Sequence, residues 1–204
     1  MTVVTFPGGE LFLHSPTAFD AGLADDLRSR GTVRHLVSPN QFHYAHIGEW
    51  AAAFPHASTW ASPHVRERAR ARRADIRFTR DLAPNAPKDW KDEIDQTLVP
   101  GGIFKEYAFF HRSSRTLILA DIIINLELDK IAQPWRFATW LTGMYHPFGQ
   151  IFFGMRLPLL LQRRRASAAI GKIRSWHPER IVLSHGRCFE GNGDEVVRRV
   201  FSRF

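Results

Sequence analysis

The amino-acid sequence predicts an α/β fold in which mixed sheets are covered by helices. Two observations indicate this: short β-prone runs alternate with helical segments along the chain, and several β-prone runs are joined by hairpin turns. Alternation alone would favour a parallel sheet, whereas the hairpins require antiparallel pairs. The 204 residues, 44% of them hydrophobic, are enough for a packed core. No change in composition divides the chain, so we expect a single domain over residues 1–204.

The first half of the chain predicts a hairpin followed by helices and strands in alternation. The β-prone runs VVTF and ELFLH flank Pro7-Gly8-Gly9, a strong turn signal. A helix is expected after Ser15-Pro16, with Thr17 as its N-cap and Gly31 at its end. The remaining elements expected in this half are a strand at 33–37, a helix at 47–54, a strand at 58–62 and an arginine-rich helix from Pro63.

The second half predicts three consecutive strands, then helices, then a last strand and helix. The strands lie in IDQTLVPGG, IFKEYAFFH and RTLILADIII, with the turn HRSSR between the last two. Residues 134–176 have a helical pattern that Gly143, Pro147 and Pro158 interrupt, so we expect a helical insertion there. A buried strand is expected in RIVLSHG, followed by an amphipathic helix with Asn192 or Asp194 as its N-cap.

The chain is basic, with a formal net charge of +8, and much of the excess lies in residues 64–73 and 162–174. Basic runs can bind nucleic acid or an anionic membrane surface, although solvated helix faces are the commoner explanation. Neither run is interleaved with aromatic residues, as single-strand stacking requires, and no accessory nucleic-acid-binding domain is recognisable, so nucleic acid ranks last. Within the first run, three-to-four spacing predicts that Arg66, Arg70 and Arg73 share one exposed helix face.

Other features bear on location and association. The single cysteine, Cys188, excludes an intramolecular disulfide and a four-cysteine zinc site. The N-terminal sequence does not resemble a secretion signal, so a cytoplasmic location is the default expectation. The apolar stretch within 135–161 is interrupted by Arg156 and two prolines, so no uninterrupted apolar run reaches the length of a membrane span, about 20 residues. It predicts buried helices or a contact surface, for a homodimer or for a membrane.

Potential metal ligands follow three of the apolar strands. VRHLV leads into a loop with His43 and His46, RTLILA leads to Asp121, and RIVLS leads to His185. Ligands in layered α/β folds collect at the carboxyl ends of strands, so we expect these four side chains to converge. Two or three imidazoles with one carboxylate suit zinc, iron or manganese.

Each of these four residues also has an ordinary structural interpretation. Asp121 can cap a turn after its strand, and His185 can be a turn residue before a glycine. His43 and His46 can be two exposed histidines in a short connection. Their joint order along the chain is what favours a metal site over these interpretations.

That order resembles the metallo-β-lactamase superfamily. There, an apolar strand leads into a loop His-x-His-x-Asp-His, an aspartate follows a later hairpin strand, and a histidine followed by glycine comes after the final strand. Here the loop reads QFHYAHIG, the aspartate ends TLILAD, and the last histidine lies in IVLSHG. LFLHSPT, HLVSPNQFHYAHIGEW, FFHRSSRTLILADIIINL and VLSHG together resemble a subgroup described as a domain of unknown function. The resemblance implies a four-layer αββα sandwich of the metallo-β-lactamase type.

The resemblance also implies at most one metal ion, because several expected ligands are replaced. Gln41 stands where the first loop histidine would be, Ala45 where the loop aspartate would be, and Gly102 where a histidine would precede the hairpin. A two-metal site would lack too many ligands at its first position. The second position retains more of them and leaves room for water.

A metal-dependent hydrolase acting on an unidentified small molecule is the function that the resemblance implies. His46, Asp121 and His185 would hold one zinc, iron or manganese ion, with His43 as a fourth ligand or as a hydrogen-bonding neighbour. The metal would lower the pKa of a water that Asp121 helps to orient. Two alternatives stay open: a catalytically silent member of the fold that serves in binding, which the lost ligands favour, and a protein that processes or binds nucleic acid.

Overall fold

The computed structural model describes residues 1–204, which form two units, Met1–Ala83 and Pro84–Phe204. Each unit contains a β-sheet, helices and a hydrophobic core of its own. The expectation of a single domain over residues 1–204 stays a prediction.

The elements of the first unit follow the order expected from the sequence. Its strands are β1 (Thr2–Thr5), β2 (Glu10–His14), β3 (Thr32–Val37), β4 (Ser58–Ala61) and β5 (Arg80–Asp81), and its helices are α1 (Ala21–Arg30), α2 (Ile47–Ala53) and α3 (Val65–Ala71). Only β5 has no counterpart in the prediction.

Helix α1 begins later than predicted. Its N-cap is Asp20 rather than Thr17, and the Asp20 carboxylate accepts a hydrogen bond from the backbone N–H of Leu23 at 2.7 Å. Aspartate is among the best N-cap residues because its oxygen satisfies a donor that the helix leaves open. Thr17 lies before the helix, where its carbonyl accepts the indole N–H of the buried Trp50. Gly31 ends the helix as predicted.

The predicted shared face of Arg66, Arg70 and Arg73 is wrong. Helix α3 ends at Ala71, so Arg73 lies outside it, with a left-handed backbone conformation (φ 54°). Arg66 turns towards β5 and donates to the Asp81 carboxylate at 2.7 Å. A shared face would require the helix to continue to residue 73, whereas α3 ends two residues earlier.

The sheet of the first unit has the order β1-β2-β3-β4-β5. Strands β1 and β2 form the antiparallel hairpin, and β2 to β5 run parallel to one another. Helices pack against the sheet through a core that includes Leu13, Leu36, Ile47 and Trp50. Because parallel strands end at the same edge, the loops after β2 and β3 are neighbours. The loop with His43 and His46 follows β3.

The second unit contains the remaining strands and helices. Its strands are β6 (Ile94–Val99), β7 (Glu106–His111), β8 (Thr116–Ile118), β9 (Ile123–Ile124), β10 (Gln150–Ile151) and β11 (Arg180–Val182), and its helices are α4 (Trp135–Thr142), α5 (Phe153–Leu161), α6 (Arg163–Ser175) and α7 (Gly193–Val200). The predicted N-cap Asn192 precedes α7.

The main sheet of the second unit has the order β11-β8-β7-β6. Strands β6, β7 and β8 form the predicted antiparallel series, while β11 is parallel to β8, with Val182 opposite Ile118. Strands β9 and β10 form a separate antiparallel pair. The parallel pairing of β8 and β11 brings the segments that follow these two strands to the same edge of the sheet.

Residues 134–176 contain α4, α5 and α6, as the helical pattern predicts, with the short β10 between α4 and α5. Gly143 ends α4 with φ 72°, whereas Pro158, expected to interrupt a helix, lies inside α5. Helix α6 buries Ala166, Ile170 and Ile173 against the core of this unit. No helix of the chain is both long and apolar enough to cross a bilayer.

Candidate metal centre

The buried side chain of Asn40 organises the loop between β3 and α2. Its Oδ1 accepts hydrogen bonds from the backbone N–H groups of Phe42 at 2.8 Å and His43 at 3.1 Å. The hydroxyl of Ser38 donates to the Asn40 carbonyl at 2.8 Å. Asparagine commonly shapes turns in this way, because its short side chain can replace a backbone acceptor. Asn40 therefore fixes the backbone at His43.

The imidazole of His43 is oriented by Ser15, the residue that follows β2. The Ser15 Oγ lies 2.5 Å from the His43 Nδ1, a contact that the parallel pairing of β2 and β3 makes available. Ser15 has a left-handed backbone conformation (φ 53°), which is uncommon for residues other than glycine and is concentrated at functional sites. The first histidine of the loop is thus held in a half-buried, fixed position.

His46 has a different environment from His43. It precedes the first residue of α2, and its Nδ1 lies 3.0 Å from the Glu49 Oε2, one turn into the same helix. The side chains of His46 and Glu49 are 40% and 57% exposed. A carboxylate beside Nδ1 is typical of metal-binding histidines, and it is also an ordinary surface pair.

Asp121 and His185 are in direct contact. The Asp121 Oδ1 lies 2.9 Å from the His185 Nε2, and the side chain of Asp121 is 16% exposed while that of His185 is 48% exposed. The parallel neighbours β8 and β11 end at one edge, where the Leu119 N–H still bonds the Val182 carbonyl. Both side chains therefore follow strands that end together, as the sequence argument requires.

The backbone beside Asp121 is held by the buried carboxylate of Glu106, the first residue of β7. The two oxygens of Glu106 accept the backbone N–H groups of Ala120 and Asp121, each at 2.7 Å. Glu106 has no solvent exposure, and a charged group is stable there only with strong hydrogen bonds. Glu106 is thus a positioning residue for Asp121.

The backbone beside His185 is held by Asn125. The Asn125 N–H donates to the His185 carbonyl at 3.2 Å, and the Asn125 carbonyl accepts the Arg187 N–H at 2.9 Å. Between them, Gly186 has φ 93°, and a Cβ at this position would overlap the carbonyl of Asn125. The glycine that follows His185 is therefore required by the close approach of two backbones.

The candidate ligands are contributed by both units. Asp121 and His185 meet in the second unit, and His43 and His46 lie three residues apart in one loop of the first unit. The predicted convergence of all four at one point stays a prediction. The assignment of Asp121 as the catalytic residue likewise stays a prediction.

Sequence reasoning missed three residues that position these side chains. Asn40 follows Ser38-Pro39, a turn-prone context that could have identified it. Glu106 opens the otherwise apolar run EYAFFH, where a lone acidic residue in a buried strand is itself a signal. Ser15 gave no such indication, because its role depends on the pairing of β2 with β3.

The fold is that of the metallo-β-lactamases. The DIM-1 metallo-β-lactamase is 14% identical, with a TM-score of 0.61 over 98% of this chain and 83% of that one. The metallo-β-lactamase of Hirschia baltica is 12% identical, with a TM-score of 0.60 over 97% and 82%. The Flv1 flavodiiron core from Synechocystis is 11% identical, with a TM-score of 0.60 over 98% of this chain and 51% of that one. The α/β fold class of metallo-β-lactamase type, predicted from the sequence, is confirmed.

Within this fold, the chain belongs to the family DUF4336, a domain of unknown function, whose model matches residues 1–134. The predicted resemblance to such a subgroup is confirmed as well. Among curated proteins, none matches the chain.

Proposed function

We propose that this protein is a metal-dependent hydrolase that holds one metal ion through Asp121 and His185. The observation that carries the proposal is the 2.9 Å contact between the Asp121 Oδ1 and the His185 Nε2, at the edge where β8 and β11 end. Sites in layered α/β folds occupy this kind of edge. The fold shared with metallo-β-lactamases supports the same interpretation.

The chemistry of these two side chains fits a divalent metal ion. Imidazole nitrogen and carboxylate oxygen together suit zinc, iron or manganese. Two ligand atoms each about 2.1 Å from a tetrahedral zinc ion lie about 3.4 Å apart, so the Asp121 Oδ1 and the His185 Nε2 would need to separate only slightly to admit the ion. The likeness to a flavodiiron core makes iron a candidate beside zinc.

We propose His43 as the third ligand and His46 as the fourth. His43 is the better candidate, because Asn40 fixes its backbone and Ser15 contacts its Nδ1, which leaves coordination to Nε2. His46 is more exposed and contacts Glu49 on its own helix, so its contribution should be weaker.

A bound metal ion in such a site acts as a Lewis acid, which polarises a carbonyl or phosphoryl oxygen and lowers the pKa of a water. Asp121 would orient the attacking water and accept its proton, since its carboxylate is mostly shielded from solvent. Glu106 keeps the Asp121 backbone fixed through two hydrogen bonds. His185 is half-exposed, which leaves the proposed site open to a substrate from solvent.

The residues that replace superfamily ligands favour one metal ion over two. Gln41 offers only an amide, the exposed Ala45 offers no donor atom, and Gly102 has no side chain. A second ion would therefore keep too few protein ligands. With one ion, His43, Asp121 and His185 give the three-ligand set that open catalytic sites commonly use.

A second candidate is a binding protein without catalysis. Two polar contacts that need no metal ion favour it: Asp121 contacts His185, and His46 contacts Glu49. A site that has lost its metal would keep such pairs as ordinary polar contacts. The two candidates differ in whether metal binds at all.

Metal-dependent stabilisation of the chelator-treated protein tests the proposal. A zinc concentration about 100 times the dissociation constant should raise the free energy of unfolding by about 3 kcal/mol. Asp121→Ala and His185→Ala should abolish this effect, His43→Ala should weaken it, and His46→Ala should weaken it least. Ala45→Asp should strengthen it, because it restores a carboxylate where the superfamily has one.

The pair His177 and Asp194 provides a matched control, since it is a second histidine–aspartate pair in the same unit, with Nδ1 and Oδ1 3.4 Å apart. His177→Ala should leave the metal effect intact. If the parent protein shows no metal-dependent change, the hydrolase proposal is wrong and the binding protein is favoured. If Asp121→Ala keeps the full effect, the metal ion binds elsewhere and the proposed site is wrong.

A further inference from the structure

Exposed apolar side chains are concentrated in residues 135–161. Nine of the twelve large hydrophobic residues that are exposed lie there, among them Trp135 (71% exposed), Leu157 (64%) and Leu161 (78%). In α5 the exposed residues recur at three- and four-residue intervals, so they share one helix face. Patches of this kind mark contact surfaces rather than ordinary exterior. The segment begins where the match to the family model ends.

The same part of the chain is cationic without any acidic residue. Residues 131–178 contain seven arginines and lysines and no aspartate or glutamate. Lys172 and Arg174 turn inward and donate to backbone carbonyls, whereas Arg163, Arg164 and Arg165 are exposed directly after α5. An apolar face bordered by arginine is therefore presented by α4, α5 and the start of α6.

A cleft of about 460 Å³ opens beside this face, lined by residues of α4, α5 and the C-terminal segment. Arg156 and Arg203 both line it, together with apolar groups that include Trp140 and Leu160, and it has no acidic side chain. Burial lowers the pKa of Arg156, and the nearby Arg203 charge lowers it further. An anionic group in the cleft would relieve the repulsion between these two cations.

We propose that residues 135–161, with Arg163, Arg164 and Arg165, dock onto the surface of an anionic phospholipid bilayer. The apolar side chains enter the boundary between headgroups and acyl chains, the exposed arginines contact lipid phosphates, and the Arg156–Arg203 cleft receives one headgroup. Amphipathic helices with aromatic and leucine residues on one face and basic residues beside it bind membranes in this way. Helices of eight and nine residues suit contact with a membrane surface, not a membrane span.

Charge favours a lipid surface over a second copy of the chain. Two copies meeting through this face would bring like-charged arginine clusters together, and no acidic group between residues 131 and 178 could pair with them. An anionic bilayer supplies the opposite charge and an apolar interior at once. The proposal uses none of the candidate metal ligands, so it stands or falls separately from the proposed hydrolase.

Co-sedimentation of the whole protein with vesicles tests the proposal. We expect binding to phosphatidylcholine vesicles that contain about 30% phosphatidylserine, weak binding to pure phosphatidylcholine, and release as salt rises. The fluorescence of Trp135 and Trp140 should shift to shorter wavelength on binding. The double variant Leu157→Glu/Leu161→Glu should lose binding, and replacing Arg163, Arg164 and Arg165 by Gln should weaken it about 100-fold.

The matched controls lie in the first unit. Replacing the exposed Arg70, Arg72 and Arg73 by Gln removes the same charge from another part of the chain and should leave most of the binding intact. Phe19→Glu places a charge at another exposed aromatic residue and should have no effect. Asp121→Ala should bind vesicles like the parent protein.

Three results would overturn the proposal. The first is an absence of binding to anionic vesicles. The second is equal loss of binding in the two arginine triple variants, which would indicate unspecific attraction by net charge. The third is a concentration-dependent dimer, seen by light scattering, that Leu157→Glu/Leu161→Glu dissociates while vesicle binding is absent; this would assign the surface to contact between two copies.

Discussion

At the scale of single residues, Glu106 is the side chain on which the position of Asp121 depends most directly. It is fully buried, and its two carboxylate oxygens accept hydrogen bonds from the backbone N–H groups of Ala120 and Asp121. It stands at the start of β7, next to the buried residues Tyr107, Ala108 and Phe109. The metal proposal therefore requires Glu106 although it is not itself a candidate ligand.

Glu106→Gln tests this dependence. In the variant, the amide NH₂ replaces an oxygen that accepts a backbone N–H in the parent protein, so two donors face each other. We therefore expect the free energy of unfolding to fall by about 1–3 kcal/mol. Metal affinity should fall with it, because the Asp121 backbone is no longer held. Chemical unfolding and a metal titration measure the two effects. Glu190→Gln, at an exposed position, is the control and should change neither; an unchanged metal affinity in Glu106→Gln would refute the positioning role.

Residue-level prediction from the sequence succeeded where one strand end determines one side chain. Asp121 and His185 were expected to meet because each follows an apolar strand, and they do. Ser15 was not identified, because its contact with His43 arises from the pairing of two strands that are distant in the sequence. A contact of this kind can be identified only when the register of the two paired strands is known.

At the scale of elements, backbone hydrogen bonds between Asn125 and the segment after β11 keep His185 in place. Gly186 lies against the Asn125 backbone with φ 93°, where a side chain is both strained and obstructed. Helix boundaries elsewhere differed from those that residue spacing predicted. Asp20 displaced Thr17 as the cap of α1, and the early end of α3 separated Arg73 from Arg66.

Gly186→Ala should be strongly destabilising, by at least about 2 kcal/mol, because the chain must move the Asn125 backbone and adopt an unfavourable φ. Thermal unfolding provides the measurement. Gly191→Ala is a matched control: no atom lies within 4 Å of its added Cβ, so its stability should stay close to that of the parent. Equal stability of the two variants would contradict the close packing at Gly186.

At the scale of the whole molecule, stability should decrease in alkaline solution because of Tyr107. Burial raises the pKa of Tyr107 from 10.0 to about 12. Below pH 10 the Tyr107 hydroxyl is neutral in the folded and the unfolded chain. Above pH 10 it ionises first in the unfolded chain, which favours unfolding. This loss of stability is complete once the pH exceeds the pKa of the folded chain. The stability lost between these two pH values is about 3 kcal/mol.

Denaturant unfolding from pH 9 to pH 12 measures this loss, and Tyr107→Phe isolates it, since lysines titrate in the same range. The variant should show a shallower fall in stability than the parent protein. Parallel curves for the two proteins would show that Tyr107 ionises as freely in the folded chain as in the unfolded one.

The whole molecule has a metallo-β-lactamase fold, and our central claim is the proposal that it holds one metal ion. The fold was predictable because the order of strand-end motifs extends over nearly the whole chain, and the structural likeness covers 98% of it. The occupancy of the proposed site could not be predicted, because Gln41, Ala45 and Gly102 stand where the superfamily has ligands, whereas Asp121 and His185 match its ligand positions. Only the number of bound metal ions distinguishes a site that holds one ion from a site that holds none.

Elemental analysis of the protein, after equilibration with zinc or iron and removal of free metal, tests that claim most directly. We expect one metal ion per chain in the parent protein and in His177→Ala, and essentially none in Asp121→Ala or His185→Ala. Two ions per chain would contradict the single-site account. No bound ion in the parent protein, or one ion that persists in both Asp121→Ala and His185→Ala, would contradict the assignment of these residues as ligands.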